Sequence, residues 1–303
     1  MKHSLDHLPP AKQRELTLVV ATIRDGFAAA IARRTVPRFR NGALLKIILF
    51  GSYARGDWVE DPVGRYFSDY DILVVVDQED LTDVAEFWLP TEDRFLDLLG
   101  EGAALRTPVS LIYHSLDDVN AKLRLGRYFF IDILRDGIVL FEEEGHPFVE
   151  PTPLSAADAL EETRIYFEEW YQSAQEFFDD FESNRSKGRF KKAAFELHQA
   201  TERFYQCLFL VRTLYTPKTH NLNRLRSLAE DMEPRLKQVW PATDKLERQA
   251  YARLREAYIK ARYSREYRIT AEQLAWLGER AALLRAVVDQ SCRERLAMLQ
   301  DAA

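Results

Sequence analysis

The residues whose types and spacing bear on chemistry lie in Ile48-Leu49-Phe50-Gly51-Ser52-Tyr53-Ala54-Arg55 and in Ser68-Asp69-Tyr70-Asp71. An apolar strand runs into Gly51-Ser52, and a second strand starts with two carboxylates one residue apart. Alternate side chains of a strand share a face, so Asp69 and Asp71 are expected to point the same way. Like charges on one face repel, and a hard divalent cation such as Mg2+ relieves that repulsion while leaving room for phosphate oxygens. Gly51 lets a phosphate approach the backbone, and Ser52 adds a hydroxyl and an N–H at a helix start. Together they read as a nucleoside-triphosphate site.

The elements that must position these residues follow from periodicity. Apolar residues recur at helical spacing from Ala11 to Arg34 (Leu16, Val19, Val20, Ile23, Phe27, Ala30, Ile31), which predicts an amphipathic helix covering a sheet. Thr35 to Gly42 reads as a basic loop broken by Pro37. Strands are predicted at Leu44–Phe50, Asp71–Val76, Pro108–Tyr113 and Ile138–Phe141, with a short helix over Ser52–Gly56 and a loop over Asp57–Phe67. The continuous apolar run of Asp71–Val76 indicates a strand buried on both faces. Helices are expected over Thr82–Leu99, interrupted near Pro90, and over Leu116–Arg135.

An acidic, Pro-containing stretch, Glu142-Glu143-Glu144-Gly145-His146-Pro147 with Pro151 and Pro153 after it, reads as a linker. It divides the chain into domains at 1–147 and 148–303. Beyond it the strand signal disappears, and long helical patterns fall near 155–183, 188–214, 220–231, 243–262 and 270–299. The fold class is α+β: a small mixed sheet with helices, followed by an all-α bundle.

Bulk properties narrow the function classes. Apolar residues make up 47% of the 303, enough for packed cores rather than disorder. No apolar run approaches the ~20 residues of a membrane span, and no apolar stretch follows the N-terminal charges, so a cytoplasmic protein is expected. Cys207 and Cys292 match no metal spacing and are expected as buried thiols. Residues 1–150 hold 17 Lys and Arg against 25 Asp and Glu, and the remainder 25 against 23. Neither half is a basic nucleic-acid module by charge, so RNA is a partner that is not favoured.

The strand, Gly51-Ser52, gap and Asp69-x-Asp71 resemble the nucleotidyltransferase fold of the DNA polymerase beta superfamily, in its minimal bacterial form, over about residues 10–145. The resemblance implies that Gly51 and Ser52 hold the triphosphate, that Asp69 and Asp71 bind Mg2+, and that Arg55 contacts phosphate or is a solvated helix-start charge. It also implies a third carboxylate on the strand Val109-Ser110-Leu111-Ile112-Tyr113, where Ser110 stands instead. Asp61, Glu92 and Asp93 are candidate substitutes. His114, the nearby histidine, reads as a strand-end surface residue. The gap from Ser52 to Asp69 is 16 residues, longer than in compact members, and is assigned to the Asp57–Phe67 loop.

Lys191–Tyr205, Pro217-Lys218-Thr219-His220-Asn221-Leu222 and Ala257–Tyr263 resemble a HEPN domain over about 155–300, in the order of the fused form. Some HEPN domains are ribonucleases with an Arg followed after about four to six residues by a His. Arg212 to His220 and Arg106 to His114 each have seven residues between, and no His follows Arg262 closely. Lys218, His220, Arg262, Tyr263 and Arg265 are candidates for a nucleotide or anion cleft. His198 reads as a hydrogen-bonded core histidine, and His220 as a capping or turn residue. The aromatic stripe Tyr166, Phe167, Trp170, Phe177, Phe178 and Phe181 reads as core or dimer surface.

The activity these resemblances imply is Mg2+-dependent transfer of a nucleoside monophosphate, AMP from ATP first, to a hydroxyl of a small molecule or protein. The helical domain would bind the acceptor or nucleotide, or form a homodimer. Tyr263 and Tyr267 are candidate acceptors of the kind found in toxin–antitoxin pairs. The alternatives are a nucleotide-binding regulator with a degenerate site, and a HEPN ribonuclease toxin restrained by its fused transferase domain.

Overall fold

A computed structural model describes residues 1–58, 60–61, 66–99, 104–217 and 219–303, and the side chains of all of these except Asp61, Tyr66, Phe67 and Tyr263. The chain forms two compact units, Met1–Pro153 and Leu154–Ala303.

Unit 1 is built on a four-stranded mixed sheet in the order β5-β4-β1-β6, with β1 Leu44–Phe50, β4 Tyr70–Val76, β5 Val109–Ser115 and β6 Ile138–Glu142. β1 is antiparallel to β4 and β6, and β4 is parallel to β5. Every residue of β4 is buried, as its unbroken apolar run requires, because helices cover both faces. On one face lie Ile47, Leu49, Tyr70, Ile72, Val74 and Leu111, packed with Leu16, Val19, Ile23 and Phe27 of α1 (Pro10–Ala32). On the other face lie Ile48, Phe50, Asp71, Leu73, Ser110, Ile112 and His114, paired across the strands by register. Phe129 and Phe130 pack against Phe50 and His114 on that second face.

The connections depart from the periodicity in four places. The basic loop after α1 contains a short helix, α2 (Pro37–Arg40), started by Pro37 at its first turn. Between Asp57 and Phe67 two strands of two residues each pair antiparallel, β2 (Glu60–Asp61) with β3 (Tyr66–Phe67). The stretch before β5 is a 3-10 turn (Glu79–Thr82), a π turn (Val84–Trp88) and α4 (Leu89–Leu98), with Pro90 inside the first turn of α4. Residues 116–136 form two helices, α5 (Leu116–Arg124) and α6 (Tyr128–Asp136), because the Arg127 N–H closes back on the Lys122 carbonyl and turns the chain. The short α3 (Gly51–Arg55) follows β1 directly.

Unit 2 is helical: α7 (Ala156–Ser186), α8 (Phe190–Thr213), α9 (Leu222–Met232), a 3-10 turn (Pro234–Gln238), α10 (Lys245–Tyr263) and α11 (Ala271–Ala302). α8 is the inner helix, packed on α7, α9, α10 and α11, and is buried nearly all round. Phe167, Phe178 and Phe181 of the aromatic stripe are core, while Tyr166, Trp170 and Phe177 are half-buried. Cys207 and Cys292 are buried free thiols on α8 and α11.

Candidate functional site

In unit 1 the chain reverses from β1 into α3 at Gly51, whose φ of +71° lies in the left-handed region. A Cβ on Gly51 would overlap Asp71 Oδ2 and sit 3.2 Å from Asp71 Cγ. The turn backbone therefore rests directly on the Asp71 carboxylate, and only a glycine leaves space for it. Register places Asp71 opposite Phe50 on β1 and beside Ser110 on β5. Asp71 is 1% exposed, and Ser52 is buried as well. Asp69 sits just ahead of β4, half-buried, and the Ser110 hydroxyl donates to its Oδ2 at 3.2 Å.

Ser110 thus stands against the carboxylate pair at the position where the resemblance asks for a third. Glu92 does not substitute for it. It accepts from the Tyr113 hydroxyl at 3.1 Å, and Tyr113 points to the opposite face of the sheet from Asp71 and Ser110. Asp93 is exposed on the same α4, and the Asp61 side chain lies outside the described residues. His114 is on the Asp71 face but four residues further along β5 than Ser110. It is buried rather than on the surface, with Nδ1 2.7 Å from Asp118 Oδ2 and its ring edge-on to Phe130. The α5 first turn supplies Asp118, which explains why a strand-end histidine is enclosed.

Arg55 ends α3 and is exposed. Its Nε lies 3.3 Å from Asp57 Oδ2, and it acts electrostatically on Asp132 and Asp136 of α6. Burial pushes the Asp132 carboxyl up, against the pull of Arg135 and Arg55. Sequence reasoning missed this acidic neighbourhood, because α6 reaches α3 only through the fold.

The back of the turn is held by a polar network that periodicity also missed. Tyr53 of α3 and Tyr70 of β4 lie 4.5 Å apart between ring centroids, and Tyr53 stacks on Trp58 at 5.3 Å. The Tyr70 hydroxyl donates to Glu15 Oε2 at 3.0 Å, and Arg106 N–H donates to Glu15 Oε1 at 3.2 Å. Lys12 Nζ lies over both rings, donates to Thr107 Oγ1 at 2.6 Å and pairs with Glu60. Burial pushes both phenols well above their usual range, so they act as fixed donors. The network ties α1 to the residues on either side of the Gly-Ser turn and the aspartates.

The donor set suits a hard cation. Among the described residues no group of three His, Cys, Asp or Glu side chains would hold a metal alone. The two carboxylates beside the Gly51 turn are hard oxygen donors of the kind Mg2+ takes, one or two carboxylates with phosphates and water completing its shell.

In unit 2 the structure gathers part of the candidate cleft. His220 does not cap α9; Asn221 does, accepting from the N–H groups of Asn223 and Arg224. His220 turns instead to α8, where its Nδ1 lies 3.0 Å from each oxygen of Glu202. The His220 side chain is 55% exposed and that of Glu202 5%. The His220 ring stacks on Tyr258 at 4.2 Å with 18° between planes, and Arg262 lies over the same phenol at 4.6 Å. His198 is the core histidine expected, with Nδ1 3.0 Å from the Leu254 carbonyl and Nε2 3.6 Å from Glu202 Oε2. Burial pushes Glu202 up, but the neighbouring imidazoles of His198 and His220 outweigh it and hold the carboxyl below its usual range. Lys218 and the Tyr263 side chain lie outside the described residues, and Arg265 is exposed. Tyr267 is 2% exposed, with its hydroxyl donated to the Arg253 carbonyl at 2.8 Å, so it is closed to an incoming phosphoryl group.

Compared with known proteins, residues 33–105 match the nucleotidyltransferase domain model and residues 167–290 the HEPN domain model. The first match includes Gly51, Ser52, Asp69 and Asp71 and ends before Ser110; the second includes Glu202, His220, Tyr258 and Arg262. Among solved structures the chain is similar to a nucleotidyltransferase-like protein from Exiguobacterium sibiricum 255-15, at 15% identity over 91% of this chain and 75% of that one. The TM-score of that match is 0.22. No curated protein matches. Among the described residues no helix is long and apolar enough to cross a membrane.

Proposed function

For a chain that joins a nucleotidyltransferase domain to a HEPN domain, we propose Mg2+-dependent transfer of a nucleoside monophosphate, AMP from ATP first, from the site at Gly51, Ser52, Asp69 and Asp71. The observation that carries this reading is the seating of the Gly51 backbone on the Asp71 carboxylate, with Asp69 and Ser110 alongside. A triphosphate entering over the turn meets backbone N–H groups and the carboxylates at one place.

Asp69 and Asp71 would hold the metal, which when bound offsets phosphate charge and stabilises the leaving oxygen. The chain's own contribution is position. Gly51 and Ser52 orient the phosphates, and the Tyr53–Tyr70–Glu15 network fixes the turn against β4. Rigid placement of this kind is where most of the rate of phosphoryl transfer originates. The acceptor attacks the α-phosphorus as the bond to pyrophosphate breaks. Ser110 cannot draw a proton from a hydroxyl acceptor at neutral pH, and it donates to Asp69 rather than accepting.

The same serine favours a second reading, a regulator that binds nucleotide without turnover. Calorimetry with MgATP and a pyrophosphate-release assay separate the two. Binding with release that disappears in Asp69→Asn and Asp71→Asn supports transfer. Binding without release under any acceptor supports the regulator, and absence of binding refutes both.

A further inference from the structure

A cavity of unit 1 that shares no residue with the Gly51 turn lies in the cleft between α1 and α4, with a volume of about 450 Å3. Cavities of this size hold small molecules. Phe27 stacks on Trp88 at 5.2 Å between centroids, and Arg34 donates to Glu86 at 2.7 Å, which fixes the π turn ahead of α4 against α1. At Gly26 the two helices touch: a Cβ there would overlap Thr91 Oγ1 and sit 3.2 Å from Thr91 Cβ. Along the rest of this face α1 offers Ala21, Ala29 and Ala30, whose side chains are too short to fill the cleft.

The polar groups around the cleft select what it takes. Thr91 is 2% exposed, and its hydroxyl has no hydrogen-bond partner among the described residues. A buried hydroxyl is ordinarily paired, so this one leaves a donor for a group from outside the chain. Arg33, which follows α1, and Arg94 of α4 stand exposed at the rim. Among the described residues neither guanidinium has an ion pair or hydrogen bond, whereas the neighbouring Arg34 is committed to Glu86. Unpaired guanidinium forks match the two oxygens of a carboxylate. Asp25 on the same rim leaves one net positive charge, which favours a monoanion over the multiply charged phosphates of a nucleotide. Leu18 and Leu98, both half-buried, supply apolar wall. We propose that this cleft binds a small monocarboxylate with an apolar body, its carboxylate drawn to the arginines and the Thr91 hydroxyl and its body laid on the leucines and alanines. Binding is reversible and independent of the transferase reading of the Gly51 site.

The test is calorimetry and thermal unfolding of the full chain with octanoate, cyclohexanecarboxylate and phenylpropionate, each set against its matching alcohol and against acetate. The expected result is saturable binding of at least one carboxylate at a single site, with a raised melting temperature. The matching alcohol and acetate should bind about tenfold more weakly or not at all. Arg33→Ala and Arg94→Ala should each weaken the carboxylate by about tenfold, the loss of a charge-assisted hydrogen bond, and leave the alcohol unchanged. Ala29→Leu, at an exposed helix position, should fill the space and block binding without lowering the melting temperature of the free protein. Thr91→Val should keep or raise that melting temperature, because it removes the unpaired hydroxyl, while weakening the carboxylate. No saturable binding of any of the three carboxylates overturns the site. Equal binding of the alcohol overturns it too, because the arginines are then unused, and so does binding untouched by these variants, which puts the ligand elsewhere. Pyrophosphate release is not read in any arm, so the transferase reading stands or falls separately.

Discussion

Replacing Gly51 by alanine probes the turn and the carboxylate together. The residue sits at φ +71°, where a side chain costs about 1–2 kcal/mol. Its Cβ would also overlap Asp71 Oδ2, with Cγ and Cβ of Asp71 at 3.2 and 3.3 Å. Forcing an extra methyl into a packed site adds about 1–3 kcal/mol, for a total of about 2–5 kcal/mol on the same two grounds. Gly145→Ala is the internal control. It lies in the same unit at φ +88° with nothing within 4 Å of its Cβ, so it carries the backbone cost alone. Urea unfolding followed by tryptophan fluorescence should therefore show Gly51→Ala less stable than Gly145→Ala by about 1–3 kcal/mol. The clash is relieved by moving the Asp71 carboxylate, so MgATP affinity in calorimetry should fall by about tenfold or more, the equivalent of ~1.4 kcal/mol. If the two variants unfold alike and Gly51→Ala binds MgATP as the parent does, the turn does not rest on Asp71 and the site is wrongly drawn.

Ser110→Asp adds a third carboxylate beside Asp69 and Asp71; pyrophosphate release with hydroxyl acceptors should rise by about tenfold or more. The melting temperature should fall in chelator and recover in Mg2+; a melting temperature indifferent to Mg2+ would place the new carboxylate outside the site. Tyr70→Phe leaves the buried Glu15 one donor short and should cost about 1–2 kcal/mol in urea unfolding, whereas an unchanged midpoint would mean the network does not support the turn. Glu233 gives a pH signature. Its bonds to Arg235 at 2.7 Å, opposed by burial and aided by Ser291, lower its carboxyl from 4.5 to about 2. A carboxyl lowered in the folded state contributes stability that is complete above pH 4.5 and is lost as pH falls through about 2. Glu233→Gln should flatten the melting curve against pH in that window and cost about 1–3 kcal/mol at neutral pH; a window unchanged by the substitution would refute the assignment.

Much of this chain was legible before any coordinates. The alternation that places Asp69 and Asp71 on one face, and the buried run of β4, follow from the two-residue period of a strand. The five helical segments of the second half follow from apolar spacing, because long amphipathic helices state their buried face in the sequence. His198 read correctly as a core histidine from its apolar neighbours. The split of residues 116–136 into two helices had a local signal that the apolar spacing overrode: Gly126, which follows α5 in the left-handed region at φ +65° and lets the Arg127 N–H close on Lys122.

The sequence by itself determined the two domains, the Gly51-Ser52 turn and the carboxylate pair, all of which depend on neighbours close along the chain. Only the tertiary structure decided that Ser110 stands against Asp69, that Glu92 faces the other side of the sheet, and that His220 reaches back to Glu202. Each of those depends on strand register or helix packing between residues far apart in sequence. Such pairings are fixed by the burial of whole faces and leave no local pattern.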